Sequence, residues 1–148
     1  MISNSSNSYK IFIDGGSRGN PGESGIGIVI QSRNQKKGFY FYTGHSTNNE
    51  AEYKALIKAL NIAITKRLNN LKIFSDSELL CNQINGLYKV KSDSLKKYYN
   101  KAASLIKKVT TFSIKYIPRN KNKEADKLAN IAMNLKNNGE VELAVAEH

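Results

Sequence analysis

The chain is 148 residues long, a length that fits one domain with a real core and leaves little room for a second. Its 23 Lys and Arg against 12 Asp and Glu leave a net charge of +11, a surplus that draws in polyanions, nucleic acid first among them. With 40% hydrophobic and 24% charged residues it is not a disordered basic tail, and the lone Cys81 excludes an intramolecular disulfide and a Cys-based metal framework.

No apolar run nears the ~20 residues of a bilayer span, so a soluble, cytoplasmic protein is expected. Met1 to Ser8 is Ser/Asn-rich, without a basic or apolar block, and reads as a disordered leader to a single domain over residues 9–138. The β-branched and aromatic run from Tyr9 to Asp14 predicts a strand that stops in a cluster of turn residues, Gly15 to Gly22, and so delivers Asp14 to the strand's C-terminal end. Gly25 to Gln31 and Gly38 to Gly44 predict two more strands in hairpin sequence, hence antiparallel. From Asn49 the period changes. Ala55, Leu56, Ala59, Leu60, Ala63 and Ile64 recur at helical spacing and mark the apolar stripe of a helix. A strand over Leu71 to Phe74, a short helix from Leu79 to Ile84 ended at Gly86, a longer helix from Ser94 to Lys108, a strand from Phe112 to Ile117 and a helix from Asn122 to Leu135 follow. Alternating strands and helices in this half require crossovers and parallel pairing, so an α/β fold is expected, a mixed sheet flanked by helices. Residues 139–148 show no clear partner and read as a frayed or loosely docked tail.

Several carboxylates stand where a structural role explains each one only singly. Glu52 lies one turn before Leu56 on the apolar stripe, where an unpaired carboxylate is expensive, although a first-turn acid also suits the helix dipole. Asp76 ends the fourth strand, where it can cap the next helix beside a Ser75/Glu78 capping box. Asp14 can open an Asx-type turn, and Asp126 can complement the dipole of the last helix or pair with Lys123, Lys127 or Asn130. Taken together, acids at strand ends and helix starts can converge at one edge of the sheet. Converging carboxylates repel unless a cation joins them. Hard oxygen donors without Cys or clustered His select Mg2+ or Mn2+, and two such ions ~3.5–4 Å apart are the recurrent device of phosphodiester chemistry. A histidine-based hydrolase has only His45 to serve as its base, His148 being terminal. Gly15, Gly16, Gly19 and Gly22 lack the spacing of a nucleotide-cofactor loop and suit close approach to a polymer. Asn20, Thr47, Asn48 and Asn49 offer uncharged donors and acceptors for sugar hydroxyls and base edges, though Asn-rich turns also arise for conformational reasons.

The segments Asp14-Gly-Gly-Ser-Arg-Gly-Asn-Pro-Gly22, Thr47-Asn-Asn-Glu-Ala-Glu52-Tyr, Ser75-Asp76-Ser and Asn122-Lys-Glu-Ala-Asp126-Lys-Leu-Ala129, in this order, resemble the motifs of type 1 ribonuclease H, over a span from about Tyr9 to Leu135. The resemblance implies the ribonuclease H-like fold, with a five-stranded mixed sheet and helices on both faces. It implies an endoribonuclease that hydrolyses the RNA strand of RNA/DNA hybrids by two-metal-ion catalysis, giving 5′-phosphate and 3′-hydroxyl ends. It also implies that Asp14, Glu52, Asp76 and Asp126 are the catalytic, metal-holding acids, with two Mg2+ or Mn2+ ions per site. Asn20, Asn48 and Asn49 match positions that contact the hybrid near its sugars and minor groove, and Thr47 matches a position that grips a DNA-strand phosphate. A monomer acting on the hybrid, away from membranes, is expected.

Two departures from the family pattern matter. Many members carry Gly-His in the loop before the last helix; here it reads Tyr116-Ile-Pro118-Arg119-Asn-Lys-Asn-Lys, similar to an archaeal-like branch with Arg in place of the loop His. Arg119 can stabilise phosphate charge but cannot shuttle protons near neutral pH. The long basic handle is also absent, since Gly86 to Asp93 passes quickly to the next helix and leaves Lys89, Lys91, Lys96 and Lys97 to share the grip on the hybrid. On the residues alone two rival readings stay open: a metal-dependent nuclease or integrase-like protein acting on DNA, and a non-catalytic module that binds hybrid or double-stranded RNA.

Overall fold

The computed structural model describes residues 7–145. Three strands open it, β1 (Tyr9–Arg18), β2 (Gly22–Gln31) and β3 (Lys36–Ser46), each antiparallel to the next. Helix α1 (Asn48–Thr65) then returns the chain across the sheet to β4 (Asn70–Ser75), parallel to β1. Helices α2 (Glu78–Ile84) and α3 (Asp93–Ile106) make the second crossover, to β5 (Thr111–Tyr116), parallel to β4. A 3-10 turn over Arg119–Lys121 leads into α4 (Lys123–Leu135), and β6 (Gly139–Leu143) follows. The sheet order β5-β4-β1-β2-β3-β6 is the mixed arrangement that the change of period halfway along the chain predicts. Among the described residues no helix is long and apolar enough to cross a membrane.

Three expectations are corrected here. The sheet has six strands rather than five. The sixth comes from the segment read as a loose tail: Gly139–Leu143 pairs antiparallel with β3. The Glu-Val-Glu-Leu alternation explains the docking, because Leu143 packs into the apolar cluster under α4 while Glu140 reaches out to Lys37. Just before it, Asn138 Oδ1 accepts the Tyr42 N–H at 2.9 Å. Lastly, β1 does not stop at Asp14. Gly15 and Gly16 stay in the ladder opposite Ile26 and Gly25, and the chain reverses only around Gly19, whose φ of +99° suits glycine. Of the leader expected over residues 1–8, residues 1–6 lie outside the described residues, and Asn7 and Ser8 precede β1 without regular structure.

The larger core fills the space between the sheet and α1, α2 and α3, where Ile11, Ile13, Ile26, Ile28 and Ile73 meet Ala55, Leu56, Ala59 and Leu60. The opposite face is covered by α4 through Ala125 and Leu128 on Val29. β2 is therefore sandwiched, with isoleucines toward α1 and glycines toward α4. A Cβ on Gly27 would lie 2.1 Å from the Ala125 carbonyl oxygen, and one on Gly25 would lie 2.7 Å from that of Ala129. The helix thus rests on bare backbone, which sets the height of Asp126 above the sheet.

Ending the chain after Asn138 removes one short ladder and the Leu143 contacts but leaves every acid on its element. Such a truncation is expected to fold, with a stability loss of about 1–3 kcal/mol read as a lower urea midpoint.

Candidate metal centre and nucleic-acid interface

Parallel pairing of β1 with β4 aligns Ile13 with Ser75, so the next residues of the two strands, Asp14 and Asp76, emerge side by side. Helix α1 starts just across from them. Thr47 caps it in a capping box, its hydroxyl accepting the Glu50 N–H at 3.1 Å while Glu50 Oε1 accepts the Thr47 N–H at 2.9 Å. The first turn of α1 then lies so close to β1 that a Cβ on Gly15 would sit 2.2 Å from the Ala51 carbonyl oxygen. That approach lets the Gly15 N–H donate to Glu52 Oε1 at 3.0 Å. Glu52 is thus the acid of the apolar stripe, turned to the edge of the sheet where a backbone donor meets it.

One carboxylate oxygen from each of Asp14, Glu52 and Asp76 lies within 4.8 Å of the others. Asp126 arrives from the first turn of α4; it is not part of that triplet, but its carboxyl lies close enough to that of Asp14 to raise its pKa. Asp14 is only 7% exposed. Burial above all, then the charge of Asp76 and the contact with Asp126, push its pKa from 3.8 to about 8, with the Arg119 charge pulling the other way. Burial, followed by the charges of Asp14 and Asp76, likewise holds Glu52 well above its usual 4.5, against the Gly15 N–H and Arg119. Asp14 and Glu52 hold their protons more tightly than free carboxyls do, because burial strips them of solvent and like charges then crowd the cleft. An oxygen-preferring divalent cation removes that repulsion. Carboxylates in mutual reach, with no thiol or imidazole among the residues lining the cleft, fit Mg2+ or Mn2+ better than Zn2+.

Sequence reasoning named Asn122 as the start of a helix and the first residue of the fourth motif, but gave it no role and missed its contacts. It is 1% exposed, and its Nδ2 donates both to the Ile13 carbonyl at 2.8 Å and to Asp76 Oδ2 at 3.0 Å. Its own carbonyl accepts the Asp126 N–H at 3.1 Å. One buried residue therefore ties together the strand that carries Asp14, the carboxylate of Asp76 and the helix that carries Asp126. The available signal was its place four residues before Asp126, at a helix start that a Ser or Thr would cap equally well. Replacing Asn122 by Ala is expected to weaken Mg2+ binding by about 10–100-fold, read by calorimetry, because an unheld Asp76 must be ordered by the ion itself.

The other sequence candidates fall into two groups. Asn48 Oδ1 accepts from the Ser17 N–H at 2.9 Å and the Ser17 hydroxyl at 3.0 Å, and Asn20 Oδ1 accepts the Asn48 N–H at 3.0 Å. Asn20, Thr47, Asn48 and the exposed Asn49 thus form one polar patch joining the β1–β2 hairpin to the start of α1. Arg119, exposed on its 3-10 turn, lines the cleft with the acids, as do Ser17, Arg18, Asn48 and Asn130. Lys89, Lys91, Lys96 and Lys97 do not line it. His45 is exposed on β3 opposite Glu23 and is not part of the cleft either. The Ser75/Glu78 capping box does not form. Ser75 is wholly buried at the end of β4, where its hydroxyl accepts the Ser77 N–H, and Ser77 caps α2 in its place.

The reverse transcriptase-like family matches residues 12–132. A bifunctional protein of Mycobacterium tuberculosis is 37% identical over 123 residues, which cover 81% of this chain and 34% of that protein. The chain thus spans about a third of the length of that relative. Ribonuclease HI of Halobacterium salinarum is 35% identical over 126 residues, covering 82% of this chain and 62% of that protein. Among solved structures, LC11-RNase H1 in complex with an RNA/DNA hybrid is similar with a TM-score of 0.80 and 37% identity, covering 87% of this chain and 99% of that one.

Proposed function

Since the chain belongs to the type 1 ribonuclease H family, we propose that it is a metal-dependent endoribonuclease that hydrolyses the RNA strand of RNA/DNA hybrids and leaves 5′-phosphate and 3′-hydroxyl ends. The observation that carries this reading is the approach of the Asp14, Glu52 and Asp76 carboxylates to within 4.8 Å of one another, in a domain whose net charge of +11 attracts phosphate. The hybrid bound to LC11-RNase H1 supports the choice of substrate.

Asp14, Glu52, Asp76 and Asp126 would hold two Mg2+ or Mn2+ ions. The chemistry that such ions supply when bound is neutralisation of phosphate charge and activation of the attacking water. The protein's own part is positioning. Asp14 and Asp76 are mounted on paired strands, Asn122 steadies Asp76, and the Gly15 N–H steadies Glu52. The carboxylates are therefore ordered before a phosphate arrives. Arg119, which lines the cleft with the acids, would offer the phosphate oxygens a guanidinium charge. Asn20, Asn48 and Asn49 would meet the sugar edges, where the 2′-hydroxyl separates RNA from DNA, and Thr47 would meet a phosphate of the DNA strand. Water attacks phosphorus and releases a proton to solvent, the bond to the 3′ oxygen breaks, and that oxygen takes a proton from solvent to become the 3′-hydroxyl.

The test is incubation of the purified protein with a labelled RNA/DNA hybrid and with matched duplex DNA and duplex RNA, in Mg2+, Mn2+ or chelator. Cleavage of the RNA strand of the hybrid, abolished by chelator, is expected. Cutting of duplex DNA would move the reading to a DNA nuclease, and hybrid binding without cleavage would move it to a binding module.

A further inference from the structure

Arg18 closes β1 on the strand face that carries Asp14, with Gly16 between them. A Cβ at Gly16 would meet only Met133 Cε, at 3.9 Å, so the floor between acid and guanidinium is bare backbone. Arg18 Nη2 donates to Asn130 Oδ1 at 3.4 Å, and Asn130 Nδ2 donates in turn to the Asp126 carbonyl at 3.0 Å. Both side chains line the acids' cleft. Arg18 is exposed and, among the described residues, makes no ion pair with a carboxylate. Most of its N–H donors are therefore left for a ligand.

We propose that Arg18, steadied by Asn130, binds a backbone phosphate of the RNA strand next to the one seated at the acids. This rests on the reading of the site as a hybrid-cleaving centre. A rise of about 3.3 Å per residue separates the Cα atoms of Arg18 and Asp14 by roughly 13 Å. The arginine arm spans part of that gap, its tip held by Asn130 one helical turn after Asp126. Arg119 precedes α4 and Asn130 lies about two turns into it, so a strand crossing the cleft passes two guanidiniums in succession. A guanidinium fork matches a phosphate bidentately, which a lysine does not. Asn130 acts as a positioning residue: it fastens the guanidinium to the helix that carries Asp126, so the phosphate contact and the acid share one rigid support.

Hybrid affinity is to be measured by fluorescence anisotropy in chelator, where nothing is cleaved, across a salt series, with steady-state cleavage in Mg2+ as a separate readout. Arg18→Ala is expected to weaken binding about tenfold and to reduce the slope of log affinity against log salt by about one. In turnover it is expected to raise KM more than it lowers kcat, with Mg2+ binding by calorimetry equal to wild type. Arg18→Lys is expected to restore the salt slope but only part of the affinity, and Asn130→Ala to weaken binding about threefold. Arg33→Ala removes the same charge from the turn between β2 and β3, at the far end of β2, and is expected to bind as wild type. Wild-type affinity and salt slope in Arg18→Ala would overturn the inference, as would an equal loss in Arg33→Ala. A wild-type protein that binds hybrid but cuts nothing would sink the functional reading alone, since the chelator measurement still decides the role of Arg18.

Discussion

Replacing Asp14 with Asn is expected to reduce RNA-strand cleavage by about a thousandfold or more while leaving a folded protein that still binds hybrid. The amide has nearly the shape of the carboxyl, so the packing that leaves Asp14 7% exposed is kept, but an anionic oxygen is lost where three carboxylates converge. The same change should also stabilise the metal-free protein at alkaline pH. Asp14 has a pKa raised from 3.8 to about 8 by burial first and by Asp76 and Asp126 next, so the folded state holds its proton more tightly than the unfolded state does. Its favourable contribution is complete below pH 3.8 and is lost as the pH climbs to about 8. In chelator, wild type is therefore expected to melt progressively lower across that window, and Asp14→Asn to melt higher than wild type at its upper end. Added Mg2+ should raise the melting temperature of wild type and do little for the variant. Substantial residual cleavage by Asp14→Asn would remove the residue from its assigned role. A variant that melted below wild type near pH 8 would show that charge crowding is not what the acids contribute.

The second large effect is expected at Gly27, which reaches no ligand. A Cβ there would lie 2.1 Å from the Ala125 carbonyl oxygen and 2.8 Å from the Ala129 nitrogen, both backbone atoms that cannot swing aside. β2 cannot retreat either, because it is paired with β1 and β3 along its length. Gly27→Ala must therefore lift α4, at an expected loss of about 3 kcal/mol or more in urea denaturation. The lift carries Asn122 and Asp126 with it, so whatever stays folded should need more Mg2+ for half-maximal cleavage. Gly16→Ala makes the contrast, since its Cβ meets only Met133 Cε at 3.9 Å, and a stability change below about 1 kcal/mol is expected. Equal stabilities for the two variants would contradict the close seating of α4 on β2.

The convergence of Asp14, Glu52 and Asp76 was legible only in combination, because each acid alone also reads as a cap, a turn or a first-turn charge and the order of the motifs is what joined them. Asp14 and Asp76 follow apolar strand runs, Glu52 heads a helical stripe of alanines and leucines, and Asp126 lies in the first turn of a helix. What local patterns left out depends on a distant partner. Gly15 read as part of a turn, yet its missing side chain admits α1 against β1, and the strand glycines Gly25 and Gly27 admit α4 against β2. Ser75 and Glu78 had the spacing of a capping box, but burial of Ser75 at the strand end gives the cap to Ser77. Asn122 looked like one more polar residue before a helix, and only the crossing of β1, β4 and α4 gives its amide two acceptors at once. Residues 139–143 do alternate, but so short a run becomes a strand only when β3 offers a free edge and α4 a place for Leu143.

The late arrival of β6 has a consequence for the chain while it is being made. β3 leaves the ribosome early, but its outer partner follows only after α1, β4, α2, α3, β5 and α4. Throughout that interval the outer edge of β3 presents unpaired N–H and C=O groups to every other nascent copy. Lys36 and Lys37 stand at the head of that edge, ahead of the apolar and aromatic run Phe39-Tyr40-Phe41-Tyr42. Their charges make edge-to-edge pairing of two copies repulsive until Glu140 arrives to meet Lys37. The same lysine is thus a gatekeeper during synthesis and an ion-pair partner afterwards.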